Sequence, residues 1–211
     1  MSDNTTRRAG YPDHQSGTIR GARAAPPDLG AGECPIEAIH EEHFNQRQLC
    51  AGMESLAATT HARPELARRI LVNLCRDLPL HLEDEEKGLF PRLRARARAE
   101  DALDATLAQL ERQHEIAISA FAVLVPALAC MADGSLPTSE DREVLFRLAA
   151  SERRHLIIEN AIVLPLARLR LTRSDKAALL AEMCARRARA LQRDAPCAPA
   201  RRDPYLRERF T

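Results

Sequence analysis

Apolar residues recur at spacings of three and four along most of this chain, the mark of helices that bury one face. Pro35, a residue favoured at the first helical position, opens a helix to about Ala58 whose inward stripe is Ile36, His43, Cys50 and Ala57. Pro64 opens a second, with Leu66, Ile70, Leu74, Leu78, His81, Glu85 and Leu89 on one face. A third begins near Asp101 and aligns Leu103, Leu107, Leu110, His114, Ile118, Phe121 and Val125. Thr138 or Ser139 caps a fourth, whose stripe is Leu145, Leu148, Glu152, His155, Glu159, Ile162 and Leu166. Ser174 caps a short fifth helix that reaches about Ala190. Pro91 and Pro165 are expected to kink their helices or end the regular part, and Pro126 to loosen the end of the third. The pattern predicts an all-α protein, an up-down four-helix bundle over 34–171, a short C-terminal helix over 172–190 and disordered tails. Residues 1–33 hold most of the glycines and few large apolar residues. Residues 191–211 form an Arg/Pro-rich tail.

Composition supports the helices and narrows the partners. Aromatic residues are 3% of the 211, with no Trp, so strand formers are scarce. The net charge of +1 sets up no field for nucleic acid or a membrane surface. From Cys184 to Thr211 eight Arg face three acids, yet no aromatic interleaving accompanies them, so a solvated tail is expected rather than a nucleic-acid arm. The uncharged run Ile116 to Ala132 contains Pro126 and falls short of the roughly 20 residues a spanning helix needs. It exceeds one inward stripe, so a further helix or a second copy of the chain is expected to cover the third helix. Without an apolar stretch after Met1 the protein is expected in the cytoplasm. Its six cysteines are then free thiols, with Cys50 and Cys75 in the core and an accessory or redox role conceivable only at Cys34.

One motif occurs twice. His81-Leu-Glu-Asp-Glu85 and His155-Leu-Ile-Ile-Glu159 share His, Leu, Glu and a following proline, Pro91 or Pro165, at the same offsets. On a helix, residues four apart are neighbours, so each copy sets an imidazole beside a carboxylate. Each copy also follows an upstream histidine, His43 or His114. If short turns near 61, 99 and 135 join antiparallel helices, the four histidines stand within roughly 5 Å of one level at a rise of about 1.5 Å per residue. A single histidine on an apolar stripe is ordinarily a hydrogen-bonded core residue. Four at one level, with two carboxylates that would otherwise be buried as uncompensated charges, point to bound cations.

This pattern, His, His-x-x-x-Glu, His, His-x-x-x-Glu, resembles the hemerythrin-like HHE cation-binding family over residues 35 to 170. The resemblance implies a hemerythrin-like bundle with a non-haem di-iron centre, in which His43, His81, His114 and His155 are terminal ligands and Glu85 and Glu159 bridge two iron ions. Imidazole and carboxylate ligands also suit manganese or zinc. Two departures set the chain apart from oxygen carriers: Ile118 stands where they have a further histidine, and Glu159 where they have Asp. Counting ligands then leaves about one open position per iron. The expected partner is O2, NO or peroxide, and the expected role is binding or sensing. The alternatives are a redox enzyme or iron donor in nitrosative or oxidative stress, and a metal-locked interaction module. A metal-binding protein is expected rather than a dedicated enzyme. His40, three residues before His43, is an alternative first-helix ligand, whereas His14 and His61 fall in loops. A ferritin-like site built on Glu37 with His40, Glu111 with His114 and Glu152 with His155 is the rival reading.

Overall fold

The computed structural model describes residues 34–193, and those residues contain helices and no strand. The expectations for residues 1–33 and for the tail beyond 193, including His14, lie outside the described residues. Four long helices follow the expected pattern: α1 (Pro35–Ala57), α2 (64–96), α3 (Leu103–Ala132) and α4 (139–170). The fifth, α5 (Arg173–Arg193), is 21 residues long, so it is not short. Its cap is Thr172 rather than Ser174: Asp175 N–H donates to Thr172 Oγ1 at 3.1 Å and Thr172 N–H returns to Asp175 Oδ2 at 2.9 Å. Thr138 caps α4 through the same reciprocal arrangement with Asp141. Neighbouring helices also close each other's ends, because the last carbonyls of a helix lack intrahelical donors. Arg68 of α2 donates to Ala132 O at 2.7 Å, and Arg142 of α4 donates to Ala57 O.

The prolines widen their helices instead of breaking them. Helix α2 contains two π turns, Asn73–Asp77 and Glu85–Leu89, and α4 contains one, Glu159–Val163. Each is closed by the amide five residues on: Leu78 to Asn73, Phe90 to Glu85, Leu164 to Glu159. The next residue is in every case proline, Pro79, Pro91 or Pro165. Proline has no N–H and its ring collides with the carbonyl four residues back; a widened turn moves that carbonyl aside and lets the helix continue. The extra residue also shifts the register. Beyond Glu159 the inward positions are Val163 and Ala167, while Ile162, expected inside, is 40% exposed. Pro126 is carried within an uninterrupted α3.

The core is divided. One apolar cluster contains Cys50, Met53, Leu74, Leu78, Phe121 and Leu145, and a second contains Ile39, Leu89, Phe90, Leu107, Leu110 and Val163. Between them lies the polar layer of histidines and glutamates. From Leu103 to Met131 the buried positions of α3 are Leu103, Leu107, Leu110, His114, Ala117, Phe121, Leu124, Leu128 and Met131, a regular alternation of four and three, and Ala132 at the helix end is buried as well. Ile118 is off this seam and 53% exposed. With Ile116 and Val123 it leaves the outer side of α3 apolar. By length and composition alone α3 could cross a membrane, but its inward side carries the buried His114.

Helix α5 packs against α1 and α2 beside the second π turn. A Cβ on Gly88 would approach Leu179 Cδ1 to 2.6 Å, so glycine is what lets α5 seat there. Arg186 Nη1 lies 2.6 Å from Asp84 Oδ1 and Arg187 Nη1 2.5 Å from Asp84 Oδ2, while Arg187 Nη2 also holds Glu42. Burial outweighs both guanidiniums and leaves the Asp84 carboxyl above its ordinary range. The cluster therefore orients α5 more than it stabilises the fold, but removing one member strands the others. Arg187→Ala is expected to lower unfolding free energy by about 3 kcal/mol in denaturant titrations. Arg147→Ala, which breaks an exposed pair with Glu143, is expected to change it by less than about 0.5 kcal/mol.

Candidate metal centre

The six predicted residues converge. His43, His81, His114 and His155 are each at most 2% exposed, and Glu85 and Glu159 are fully buried. His43, His81, Glu85 and Glu159 form one group whose potential ligand atoms lie within 4.8 Å of one another, and Glu85, His114, His155 and Glu159 form another. Both carboxylates belong to both groups. Glu85 approaches the Nε2 atoms of His43, His81 and His114 at 3.5, 3.4 and 3.5 Å, and Glu159 those of His43 and His155 at 3.4 and 3.0 Å. The His114 and His155 Nε2 atoms are themselves 3.0 Å apart. Both glutamates head π turns, a local widening that recurs at functional sites.

The outer nitrogens explain why the inner ones face one another. Each imidazole donates its Nδ1–H to an acceptor on a neighbouring helix: His81 to Glu42 Oε2 at 2.9 Å, His114 to Glu86 Oε1 at 2.8 Å, His155 to Gln113 Oε1 at 2.9 Å and His43 to Asn160 Oδ1 at 3.2 Å. Thus α1 holds the histidine of α2, α2 that of α3, α3 that of α4, and α4 that of α1. Such bonds select the tautomer that leaves Nε2 with a free lone pair. Each acceptor sits one residue from a member of the inner set: Glu42 precedes His43, Glu86 follows Glu85, Gln113 precedes His114 and Asn160 follows Glu159. Sequence reasoning about inward stripes passed over these flank positions, although a polar residue beside each predicted ligand was the available signal.

Inside the ring the polar atoms lack partners. His43 Nε2, His81 Nε2 and all four oxygens of Glu85 and Glu159 are buried without a hydrogen bond among the described residues. Uncompensated, two carboxylates here cannot both stay ionised. Burial, and then the charge of Glu85, pushes Glu159 well above the ordinary range. Burial also opposes Glu85, but the imidazoles of His81, His43 and His114 outweigh it and hold Glu85 below. Burial would lower His81; Glu85 and the hydrogen bond to Glu42 raise it instead to about 10. Imidazole nitrogens and carboxylate oxygens converging without hydrogen-bond partners among the described residues suit divalent first-row metal ions, which would take the place of the protons on Glu159 and His81. The residues present therefore fit a metal.

The hemerythrin HHE cation-binding domain matches residues 34–167 of the chain. The chain belongs to this family. No curated protein sequence matches it. Within the HHE domain the alternatives raised by the sequence resolve. His40 is exposed while His43 is buried, and His61 is exposed. The ferritin-like set does not assemble, since Glu37 is bound by Arg168 at 2.8 Å and Glu111 by Arg94 at 2.8 Å, both away from the interior. Ile118 is not the residue beside the centre on α3; Ala117 is, because the inward step from His114 is three residues. Cys50 is buried and its thiol is pushed up to about 12 by burial and by Glu152. Cys75 departs from the expected free core thiol: it is half-buried and disulfide-bonded, whereas Cys34, Cys50 and Cys130 are free thiols.

Two outcomes follow. Asn160→Ala or Glu42→Ala is expected to weaken metal binding roughly 10- to 100-fold in competition with a chelator, and unchanged affinity would deny the ring an orienting role. In the metal-free protein, Glu159 and His81 keep protons that the unfolded chain releases, from 4.5 upward for Glu159 and between 6.5 and about 10 for His81. Stability from those protons is full below the unfolded values and is lost as pH rises through the folded ones. His114 and His155, lowered by burial, titrate below 6.5. The melting temperature of the metal-free protein is therefore expected to fall from about pH 7 to about pH 9, and a rise across that window would contradict the charge assignment.

Proposed function

We propose that this HHE domain is an up-down four-helix bundle of the hemerythrin type that holds two irons and binds or senses a small oxidant, O2, NO or peroxide. His43 and His81 would hold one ion, His114 and His155 the other, and Glu85 and Glu159 would bridge them; manganese or zinc would fit the same donors. The observation that carries this reading is the pair of ligand groups sharing both carboxylates. Bound iron would supply reversible one-electron chemistry and open positions for the small ligand. The chain's own residues do the rest. The Nδ1 acceptors fix each imidazole, the two apolar clusters on either side keep bulk water from the centre, and the buried carboxylates balance the cationic charge.

The small residue next to the centre on α3 favours reaction over clean oxygen carriage. Ala117 offers no donor atom, so about one position per iron remains open to the small ligand. A sensing role and a stress-related redox role both use this opening, whereas a module whose metal only locks the fold does not need it.

Metal analysis with optical spectra of the reduced full-length protein tests the proposal. Two irons per chain are expected, with spectral changes on adding O2 or NO, and His155→Ala is expected to lose most of the metal. Full occupancy in His155→Ala would remove the ligand assignment.

A further inference from the structure

Two of the four Nδ1 acceptors are carboxylates and two are neutral amides. In the ligand assignment above, each ion has one histidine of either kind: His81 on Glu42 with His43 on Asn160, and His114 on Glu86 with His155 on Gln113. A carboxylate behind an imidazole raises its basicity as a ligand more than a neutral amide does. At this level the two halves of the centre match.

The surroundings of the two carboxylates break the match. The Glu86 side chain is 36% exposed and has no arginine or lysine paired with it among the described residues, so its charge is directed at His114 and at water. The Glu42 side chain is 15% exposed and both of its oxygens are engaged, Oε2 with His81 and Oε1 with Arg187 Nη2. Arg187 is itself buried, and its Nη1 is fixed by Asp84 Oδ2 at 2.5 Å, while Arg186 Nη1 holds Asp84 Oδ1 at 2.6 Å. His81, Glu42, Arg187, Asp84 and Arg186 therefore form one continuous chain of contacts from the centre into α5. Water screens a buried cation poorly, so Arg187 draws to itself charge that Glu42 would otherwise lend to His81.

We propose that Arg187 makes the two metal positions inequivalent: by binding the carboxylate behind His81 it weakens that imidazole as a donor and raises the reduction potential of the ion held by His43 and His81 above that of the ion held by His114 and His155. The couple is ferric ion plus one electron, taken from an external one-electron donor, to ferrous ion, with no bond of the protein made or broken. Ferrous ion, with one charge fewer, is favoured where the ligands donate less, so the first electron enters at the His43 and His81 position. None of the contacts of Arg187 is a proposed ligand; it acts through Glu42 and is a positioning residue. This rests on the di-iron reading above.

The test follows the two one-electron steps of the iron-loaded full chain by potentiometric titration with optical detection, in the parent, in Arg187→Met, in Glu42→Gln, in the double variant and in Arg92→Met. Arg92 pairs with Glu182 of α5 at 2.7 Å and holds no Nδ1 acceptor, so its loss loosens α5 without uncovering Glu42. Iron content is measured first: a parent protein that binds no iron defeats the di-iron reading and this inference with it, whereas every later outcome bears on Arg187 alone. Two separate steps are expected in the parent. Arg187→Met is expected to lower the upper step by about 59 mV, a tenfold change in the ratio of ferrous to ferric affinity, and to move the lower step much less. Glu42→Gln, which keeps an oxygen for His81 but removes the charge, is expected to raise the upper step by a similar amount. Opposite signs mark an effect of charge, since loosening of the site would move both variants the same way. In the double variant the loss of Arg187 is expected to add little, and Arg92→Met is expected to leave both steps in place. Shifts of one sign in Arg187→Met and Glu42→Gln, no shift, an Arg187 effect that persists in full without the Glu42 carboxylate, or an equal shift in Arg92→Met would each overturn the proposal. Where Arg187→Met does not fold, Arg187→Gln, which is uncharged but keeps a hydrogen-bond donor, takes its place with the same fall expected, and an unchanged upper step there overturns the proposal equally.

Discussion

Two carboxylates buried in one layer of a helical interior are the constraint on which the rest of this molecule turns. Glu85 and Glu159 have no hydrogen-bond donor among the described residues, and the charge of one works against ionisation of the other. An apolar pair at these positions would be simpler to bury. Keeping carboxylates there requires cations, and it requires imidazoles turned so that lone pairs rather than N–H groups face inward. The ring of Nδ1 acceptors supplies that orientation, and Arg187 of α5 reaches into it by holding Glu42, the partner of His81. Helix α5 is therefore connected to the centre as well as to the apolar core.

Much of this was legible in the sequence because it depends on periodicity. The His-x-x-x-Glu pairs, the matched heights of the four histidines and the inward stripes of α1 and α2 follow from 3.6 residues per turn, and the structure brings the six residues together as that arithmetic predicts. The errors arise where periodicity is locally broken or closely matched. A uniform period puts Ile162 inside, but the π turn at Glu159 adds a residue and turns it outward. The recurrence of Pro79, Pro91 and Pro165 immediately after the first residue beyond each π turn is a readable signal, since proline's missing N–H and bulky ring favour the widened turn. Ile118 and Ala117 are neighbours at four and three residues from His114, and both steps are compatible with a helical face. Only the continuous alternation from Leu103 to Met131 decides for Ala117.

Other features depend on contacts that no single helix specifies. That Glu42, Glu86, Gln113 and Asn160 each serve a histidine on a different helix depends on which helices are neighbours. The disulfide at Cys75 was likewise invisible to a reading based on spacing and presumed compartment. Gly88 reads as a helix-weakening residue until the packing of Leu179 shows why a Cβ is excluded.

The central claim is that metal ions replace protons as the charge balance of the buried carboxylates, and proton release on loading measures this most directly. Calorimetric titration of the metal-free protein with ferrous ion near neutral pH, repeated in buffers of different ionisation enthalpy, gives the number of protons expelled. With Glu159 and His81 protonated in the metal-free centre, roughly two protons per chain are expected to leave as metal enters. Tight binding with no proton release would contradict the account, because the carboxylates and imidazoles would then already be in their metal-ready forms without a cation.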